Sequence, residues 1–140
     1  MKKSTAQLQE MLKKCKSLNE YIKENETSFI TGKPNEILNA EIEKRNLAKA
    51  DVIRKSGIER HYAYQILSGK KTPSRDKLLM FCIGLEMTAK ETQHFLLECS
   101  APLLYAKNKR DNVILFALEN KLTVIELNEL LYELNLDIFE

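Results

Sequence analysis

One stretch, residues 51–74 (DVIRKSGIERHYAYQILSGKKTPS), constrains the fold of this chain most strongly. Gly57 separates two short runs of helix-forming residues, and glycine adopts the positive φ that a sharp corner after a helix requires. The pattern predicts a first helix that ends near Lys55 and a second helix over residues 59–68, which Gly69 ends. Two short helices joined by a tight turn that contains glycine are typical of a helix-turn-helix.

The residues after the second helix make the pattern more specific. Lys70, Lys71 and Pro73 form a basic loop, and Ser74 has the side chain and the position to cap the next helix. The segment SGKxxPS begins ten residues after the SGI turn ends. A lone glycine between helices would be a weak signal, but turn, spacing and loop together are specific.

Residues 35–97 resemble the five-helix DNA-binding domain of the phage-repressor/Cro (XRE) family. The resemblance covers less than half of the 140 residues. It implies an all-α fold whose second paired helix is a recognition helix in the major groove of double-stranded DNA. The residues that carry the resemblance are the turn Ser56-Gly57-Ile58, Ile66, the loop from Ser68 to Ser74, and Leu78-Leu79.

The sequence departs from the family pattern in two respects. Ile53 stands where the family usually has a small residue, and Ala63 where it usually has a bulky aliphatic one. Because a close-packed core best tolerates changes that keep its volume, we interpret the pair as one compensated exchange. Ala48 and Lys49 replace a frequent serine cap and a glutamine, which weakens the cap and substitutes a point charge for an amide.

The second helix divides into a buried stripe and a presented face, as a recognition helix must. The buried or half-buried stripe is predicted to be Tyr62, Ala63, Ile66 and Leu67. The presented face, which the resemblance assigns to DNA, is Arg60, His61, Tyr64, Gln65 and Ser68.

These side chains differ in what they can recognise. Arg60 can donate two hydrogen bonds to a guanine edge, and Gln65 can pair with adenine. His61 can donate to guanine or phosphate, and Tyr64 offers a ring to a thymine methyl group and a hydroxyl to phosphate. Other residues are predicted to hold phosphates without selecting a sequence: Lys49, Lys70, Lys71 and Ser74.

Charge is distributed unevenly along the chain, although the net charge is only +2. Residues 44–75 contain nine basic and two acidic residues, a balance of +7. Residues 111–140 contain seven acidic residues and one basic residue, Lys121, a balance of −6. The positive field therefore coincides with the predicted helix-turn-helix and suits a polyanion.

The N-terminal segment, residues 1–34, is predicted to be one amphipathic helix over residues 5–25 followed by a polar linker. Its apolar seam can dock on later helices of the chain or pair with a second copy. Apolar residues at spacings of three and four form this narrow seam: Leu8, Met11, Cys15, Leu18 and Ile22.

Residues 75–101 recur without a gap as residues 110–136. Seven of the 27 positions are identical, and both copies contain a Thr-x-x-Glu capping box, at Thr88 and Thr123. The sequence therefore predicts a DNA-binding domain over residues 35–101 and a second helical hairpin of the same shape in residues 102–140. The hairpin's acidic outer surface is expected to avoid nucleic acid and to extend the core or form a dimer face.

Composition favours a helical chain without a membrane segment. Only 4 glycines and 3 prolines accompany many leucines, glutamates and lysines. No apolar run is long enough to span a bilayer, and no apolar core follows Met1 as in a signal peptide. Cys15, Cys82 and Cys99 form no CxxC pair, so we expect reduced thiols in a cytoplasmic protein.

No catalytic, cofactor or metal site is expected. His61 and His94 are 33 residues apart, without cysteines or carboxylates at ligand spacing. The chain has no glycine-rich phosphate loop and no Ser–His or Cys–His pairing. The last 40 residues are too few to enclose a small molecule, so we expect no ligand domain.

The sequence thus predicts a DNA-binding transcriptional regulator of the bacterial or phage type. We expect a homodimer, formed through the N-terminal seam or the C-terminal hairpin. A second hypothesis stays open, because Tyr62 and Tyr64 are two tyrosines on a short recognition helix. In that alternative the protein is an adaptor that reuses the fold, with both tyrosines and Leu67 at a partner surface and the acidic hairpin on a basic protein.

Overall fold

The computed structural model describes residues 3–26 and 33–140, and the prediction of an all-α fold is confirmed within them. Two compact units divide the chain, residues 1–31 and residues 32–140. None of the helices in the described ranges is both long and apolar enough to cross a membrane. The helices are α1 Thr5–Lys14, α2 Leu18–Glu24, α3 Pro34–Lys44, α4 Lys49–Ser56, α5 Arg60–Leu67, α6 Arg75–Gly84, α7 Ala89–Glu98, α8 Lys109–Glu119 and α9 Val124–Glu133.

The N-terminal unit corrects the prediction of one continuous helix over residues 5–25. The helix is interrupted between α1 and α2, where Cys15 has extended backbone (φ −73°, ψ 146°). Ser17 then caps α2 by accepting a hydrogen bond from the Glu20 amide at 3.4 Å, because a serine side chain competes with the backbone and favours a new helix start. Tyr21, which the seam did not include, is the buried side chain of α2, and its hydroxyl donates to the Leu8 carbonyl at 3.1 Å.

The start of the larger unit also differs from expectation. Most of the predicted linker, residues 27–32, lies outside the described residues. Pro34 occupies the first turn of α3, where its missing N–H is harmless, and Lys33 is the N-cap without a side-chain hydrogen bond. The domain predicted to begin at Asn35 therefore starts its first helix one residue earlier, at Pro34, and Asn35 lies inside the first turn.

The core of the larger unit is built around α6. This helix is buried on every side, over Leu78 to Gly84, because its sequence is apolar all round. Gly84 lets α4 approach closely: a Cβ at this position would lie 2.9 Å from the Val52 carbonyl oxygen and 3.0 Å from the Ser56 nitrogen. The absence of a side chain at residue 84 thus determines how closely the first helix of the α4–α5 pair packs on the core.

The repeated sequence forms two hairpins of the same construction, α6–α7 and α8–α9. Thr88 with Glu91, and Thr123 with Glu126, form complete capping boxes at the start of α7 and α9. Gln93 makes two hydrogen bonds of 2.7 Å with the backbone of Leu104. Asn128 makes the equivalent pair, at 2.9 and 2.8 Å, with Phe139, 35 residues further on in each case. The side-chain to backbone bonds therefore repeat with the sequence.

Candidate nucleic-acid interface

The corner between α4 and α5 is fixed by local hydrogen bonds. Gly57 has φ +73°, as the sequence predicted, and ends α4 in the left-handed conformation. The buried Ser56 hydroxyl donates to the Ile53 carbonyl at 2.6 Å and accepts from the Ile58 amide at 3.2 Å. Ile58 then points into the core with 5% of its surface exposed. The angle between the two helices is therefore held by the turn's own polar groups and by an apolar anchor after it.

Helix α5 starts at Arg60 and is capped by a residue that the sequence analysis did not identify. The Glu59 carboxylate accepts from the Tyr62 amide at 2.6 Å. An acidic residue followed by a short helix was the available signal, since a carboxylate is favourable at a helix N-terminus. The predicted buried stripe is confirmed: Ala63, Ile66 and Leu67 are buried and Tyr62 is half-buried.

The predicted DNA-contacting face of α5 lies at the surface. Arg60, His61, Tyr64 and Ser68 are exposed, and Gln65 is half-buried. The Arg60 guanidinium lies 5.9 Å from the centre of the Tyr64 ring, one helical turn away, at the outer limit of a cation–π contact. The face therefore presents donors, acceptors and one aromatic ring to the exterior.

The loop after α5 folds back onto the helix end. The amides of Lys70 and Lys71 both donate to the Gln65 carbonyl, at 2.9 and 3.1 Å, so the loop backbone is tied to α5 while both lysine side chains are exposed. Gly69 has φ +85°, and a Cβ there would meet the Asn35 side chain at 2.9 Å. From α3, Asn39 donates to the Leu67 carbonyl at 2.8 Å. Helix α3 thus supports the loop that positions the two lysines.

Two further predicted residues lie at helix starts. Ser74 caps α6 by accepting from the Lys77 amide at 3.3 Å, as the sequence predicted. Lys49 is the first residue of α4, and its N-cap Ala48 makes no side-chain hydrogen bond, which agrees with the weak cap expected there. Both residues are exposed, so the Lys49 ammonium and the Ser74 hydroxyl lie at the surface near helix N-termini.

The basic stretch of residues 44–75 is less available than its charge suggests. Arg45 donates to Glu41 at 3.1 Å, to Glu91 at 2.8 Å and to a backbone carbonyl, which fixes it between α3 and α7. Arg75 forms an ion pair with the buried Asp111 at 3.0 Å. These two cations hold the fold together. Arg54 and Lys55 are also paired, with Asp51 at 3.1 Å and with Glu86 at 3.8 Å, so the surface field comes mainly from the other basic residues.

Tyr62 and Tyr64 occupy different environments. Tyr62 is half-buried, and the Lys77 ammonium of α6 lies 5.7 Å from the centre of its ring. Tyr64 has 37% of its surface exposed, and its ring centre lies 5.9 Å from the Arg60 guanidinium. The two rings therefore do not both stand free at the surface, and Leu67, which the adaptor hypothesis placed beside them, is buried. Lys77 is a cation that sequence reasoning did not connect to this face, because its partner lies on another helix.

In the two ranges 3–26 and 33–140, no three His, Cys, Asp or Glu side chains are grouped so as to hold a metal ion. His94 lies 2.9 Å from Glu98 on α7, far along the chain from His61. Comparison of the chain with protein-family models, with curated proteins and with solved structures gives no match.

Proposed function

We propose that this protein is a sequence-specific DNA-binding transcriptional regulator in which α3–α7 form a repressor-like five-helix domain. The observation that carries the proposal is the division of α5. Its inner stripe, Ala63, Ile66 and Leu67, is buried, while the side chains able to contact bases are presented on the other side. In this proposal α5 enters the major groove and α4 crosses the backbone, as in a helix-turn-helix.

The residues divide into two roles. Arg60 and Gln65 contact base edges, each good bidentate pair being worth about 1–3 kcal/mol of discrimination. Ser68, His61 and Tyr64 flank them. The phosphate contacts come from Lys49, Lys70, Lys71 and Ser74, whose exposed positions around α5 suit register-setting contacts. Such a role would place the protein in the cytoplasm.

Homodimerisation completes the proposal, because two copies bind two half-sites about one helical turn apart. We assign the dimer contact to the N-terminal unit, where Leu12, Leu18 and Ile22 are 46%, 59% and 44% exposed. The C-terminal hairpin suits self-pairing less well. A two-fold contact there would bring the same glutamates together, and like charges repel.

Fluorescence-anisotropy titration of the full chain against a random duplex pool, at two salt concentrations, tests the proposal. Binding should weaken with salt at a log–log slope of about −0.9 per phosphate contacted. Selection of the bound fraction should converge on an inverted repeat. Absence of binding even at low salt would refute the DNA-binding role.

A second candidate function, that of an adaptor, rests on a groove in the α8–α9 hairpin. Phe116, 55% exposed, lies there with Leu122 and Leu130. The equivalent residue of the first hairpin, Phe81, is completely buried. Three glutamates line the same groove, so a basic apolar segment of another protein would fit it: Glu126, Glu129 and Glu133.

The two candidate functions separate experimentally. Phe116→Glu should leave duplex binding unchanged if the protein is a DNA-binding regulator. Under the adaptor hypothesis, Phe116→Glu should abolish retention of a basic amphipathic helix peptide, while Tyr132→Glu, an exposed change outside the groove, should not. Tyr132 is 77% exposed, which makes it a suitable control.

A further inference from the structure

A cavity of about 520 Å³ lies in the larger unit, beside the corner between α4 and α5. Its walls come from four helices, α4, α6, α8 and α9, and from the C-terminal residues. Its volume is in the range of small-molecule sites, about 300–1,000 Å³. The expectation of no ligand domain was based on the last 40 residues alone. The end of α4 and α6 supply the rest of the wall.

The interior of the cavity is apolar and adaptable. Met80 and Met87 contribute flexible thioether side chains, which fill irregular space and adjust to different ligands. Leu118 and Val124 supply branched aliphatic surface from α8 and α9. Asn128, an uncharged polar side chain of the wall, has both ends of its amide occupied by the backbone of Phe139. The interior of the cavity therefore offers a ligand an apolar surface, and the Asn128 amide is already hydrogen-bonded within the protein.

The lining also contains charged side chains that favour an anion. Arg54, Lys55 and Lys121 line the cavity together with Glu86 and Glu140. Arg54 is already paired with Asp51, at 3.1 Å, outside the lining. Lys55 lies 3.8 Å from Glu86, and both side chains are more than half exposed, so the pair is weak. The Lys121 ammonium donates to the Glu86 carbonyl oxygen at 2.6 Å, and within the described residues no carboxylate is paired with it. A ligand carboxylate can thus be accepted at Lys121 without breaking a strong ion pair.

We propose that this cavity binds a small amphipathic carboxylate, with its aliphatic body among the methionines and its carboxylate at Lys121. The site adjoins the corner of the α4–α5 pair: Gly57 lines it, and a Cβ on Gly57 would lie 3.4 Å from Val124. A ligand in the cavity therefore changes the relative free energies of the positions that α4 can take against α9. This regulatory consequence rests on the proposed DNA-binding function, whereas the binding site does not.

Isothermal titration of the full chain with octanoate, octanol and octylammonium tests the site directly. Octanoate should bind saturably with one-to-one stoichiometry and more tightly than the other two. Val124→Phe should fill the cavity and abolish binding of all three, while Leu134→Phe, an enlargement at the exposed end of α9, should not. Circular dichroism and the melting temperature establish that each variant is folded.

The charge assignment is tested by a surface change that does not threaten folding. Lys121→Glu should lower the affinity for octanoate by about tenfold, since a favourable charge becomes an unfavourable one, and should raise the affinity for octylammonium. The matched change Lys109→Glu, on an exposed lysine outside the cavity, should alter neither. Equal affinity for all three compounds, with no effect of Lys121→Glu, would overturn the carboxylate site. So would the absence of saturable binding by the folded wild-type chain.

Coupling to DNA is measured separately. Saturating octanoate should change the affinity for the selected duplex, and the duplex should change the octanoate affinity by the same factor, because linkage is reciprocal. If the wild-type chain binds octanoate but does not bind DNA, the proposed function is refuted and the carboxylate site is retained. Intact DNA binding without octanoate binding would refute the site alone.

Discussion

Arg75 donates two hydrogen bonds, of 3.1 and 3.0 Å, to Asp111. The residues at the equivalent positions of the repeat make the same contact with the roles of the two copies interchanged. Arg110 donates twice to Asp76, at 3.0 Å each. The first residue of each repeat thus binds the second residue of the other. This reciprocity is the pattern of an isologous, two-fold contact between equivalent elements.

The two ion pairs should differ in their effect on stability, because their burial differs. The Asp111 side chain is 7% exposed, and the Asp76 side chain is 41% exposed. Arg75→Ala leaves a buried carboxylate without its partner and should lower the free energy of unfolding by about 3–5 kcal/mol. Arg110→Ala should cost clearly less. Urea unfolding of both variants measures the difference, and equal losses would contradict this account.

Gly84→Ala should destabilise the protein by about 1–3 kcal/mol, as overpacking does in a close-packed core. The added methyl group meets backbone atoms of Val52 and Ser56, at 2.9 and 3.0 Å, rather than a flexible side chain that could move aside. Chemical denaturation gives the loss. Glu119→Ala, at the exposed equivalent position of α8, is the control and should change stability by less than about 0.5 kcal/mol. Tolerance of alanine at residue 84 would mean that α4 does not depend on this close approach.

Arg60→Ala and Lys70→Ala should weaken DNA binding in different ways. Removing Arg60 should lower affinity for the selected duplex and reduce discrimination by about 1–3 kcal/mol at one base pair. Removing Lys70 should weaken binding to all sequences alike, and the salt dependence of the affinity should correspond to about one phosphate contact fewer. Competition titrations with single-base variants of the site separate the two effects. The same loss of discrimination from both variants would argue against these roles, and Lys109→Ala serves as a charge-matched control.

The contribution of Glu91 should depend on pH. The Thr88 amide, and then Arg45, hold the pKa of this carboxyl below its ordinary value of 4.5. A lowered folded-state pKa stabilises the protein above the unfolded-state value, and the stabilisation disappears as the pH falls through the folded-state value. Glu91→Gln should therefore be less stable than wild type at pH 7 and should approach wild type as the pH falls below 4.5 and through the lowered folded-state value. Melting curves across pH 3–8 test this. A difference that persists unchanged into acid would indicate a steric cause.

The three cysteines should differ in reactivity. Burial raises the pKa of the Cys99 thiol to about 12, and burial also raises the pKa of the fully buried Cys82. Only the thiolate reacts readily, so both should resist alkylation in the native state at pH 8. Cys15 is half-buried in the N-terminal unit and should react first. Mass spectrometry after timed iodoacetamide treatment, with a denatured control, counts the modified residues. Rapid modification of all three in the native protein would contradict the burial described.

Local features of this fold could be predicted from the sequence because they depend on neighbouring residues. Gly57 ends a helix because only its own φ matters, and the Thr-x-x-Glu pairs at Thr88 and Thr123 close within one helical turn. The repeat at a spacing of 35 residues likewise predicted two equivalent hairpins. The division of α5 into buried and presented residues follows from helical period alone.

The N-terminal helix could not be predicted correctly by the same means. The apolar residues have spacings of three and four across residues 5–25 whether the segment is one helix or two. The spacing of apolar residues does not depend on a serine that caps a new helix. Ser17 interrupts it, and Tyr21 is buried through a contact with α1 that the seam did not suggest.

Tertiary structure alone decided which charges and cavities exist at the surface. Arg45 and Arg75 count toward the basic stretch in sequence, yet Arg45 is bound by Glu91, 46 residues away, as well as by the nearby Glu41, and Arg75 is bound by Asp111, 36 residues away. The cavity beside Gly57 has walls from four helices, so no single segment contains its pattern. Sequence thus determined the elements and their inward faces, through local geometry and periodicity. The pairing of charges and the enclosure of space depend on distances between segments, and folding alone sets those distances.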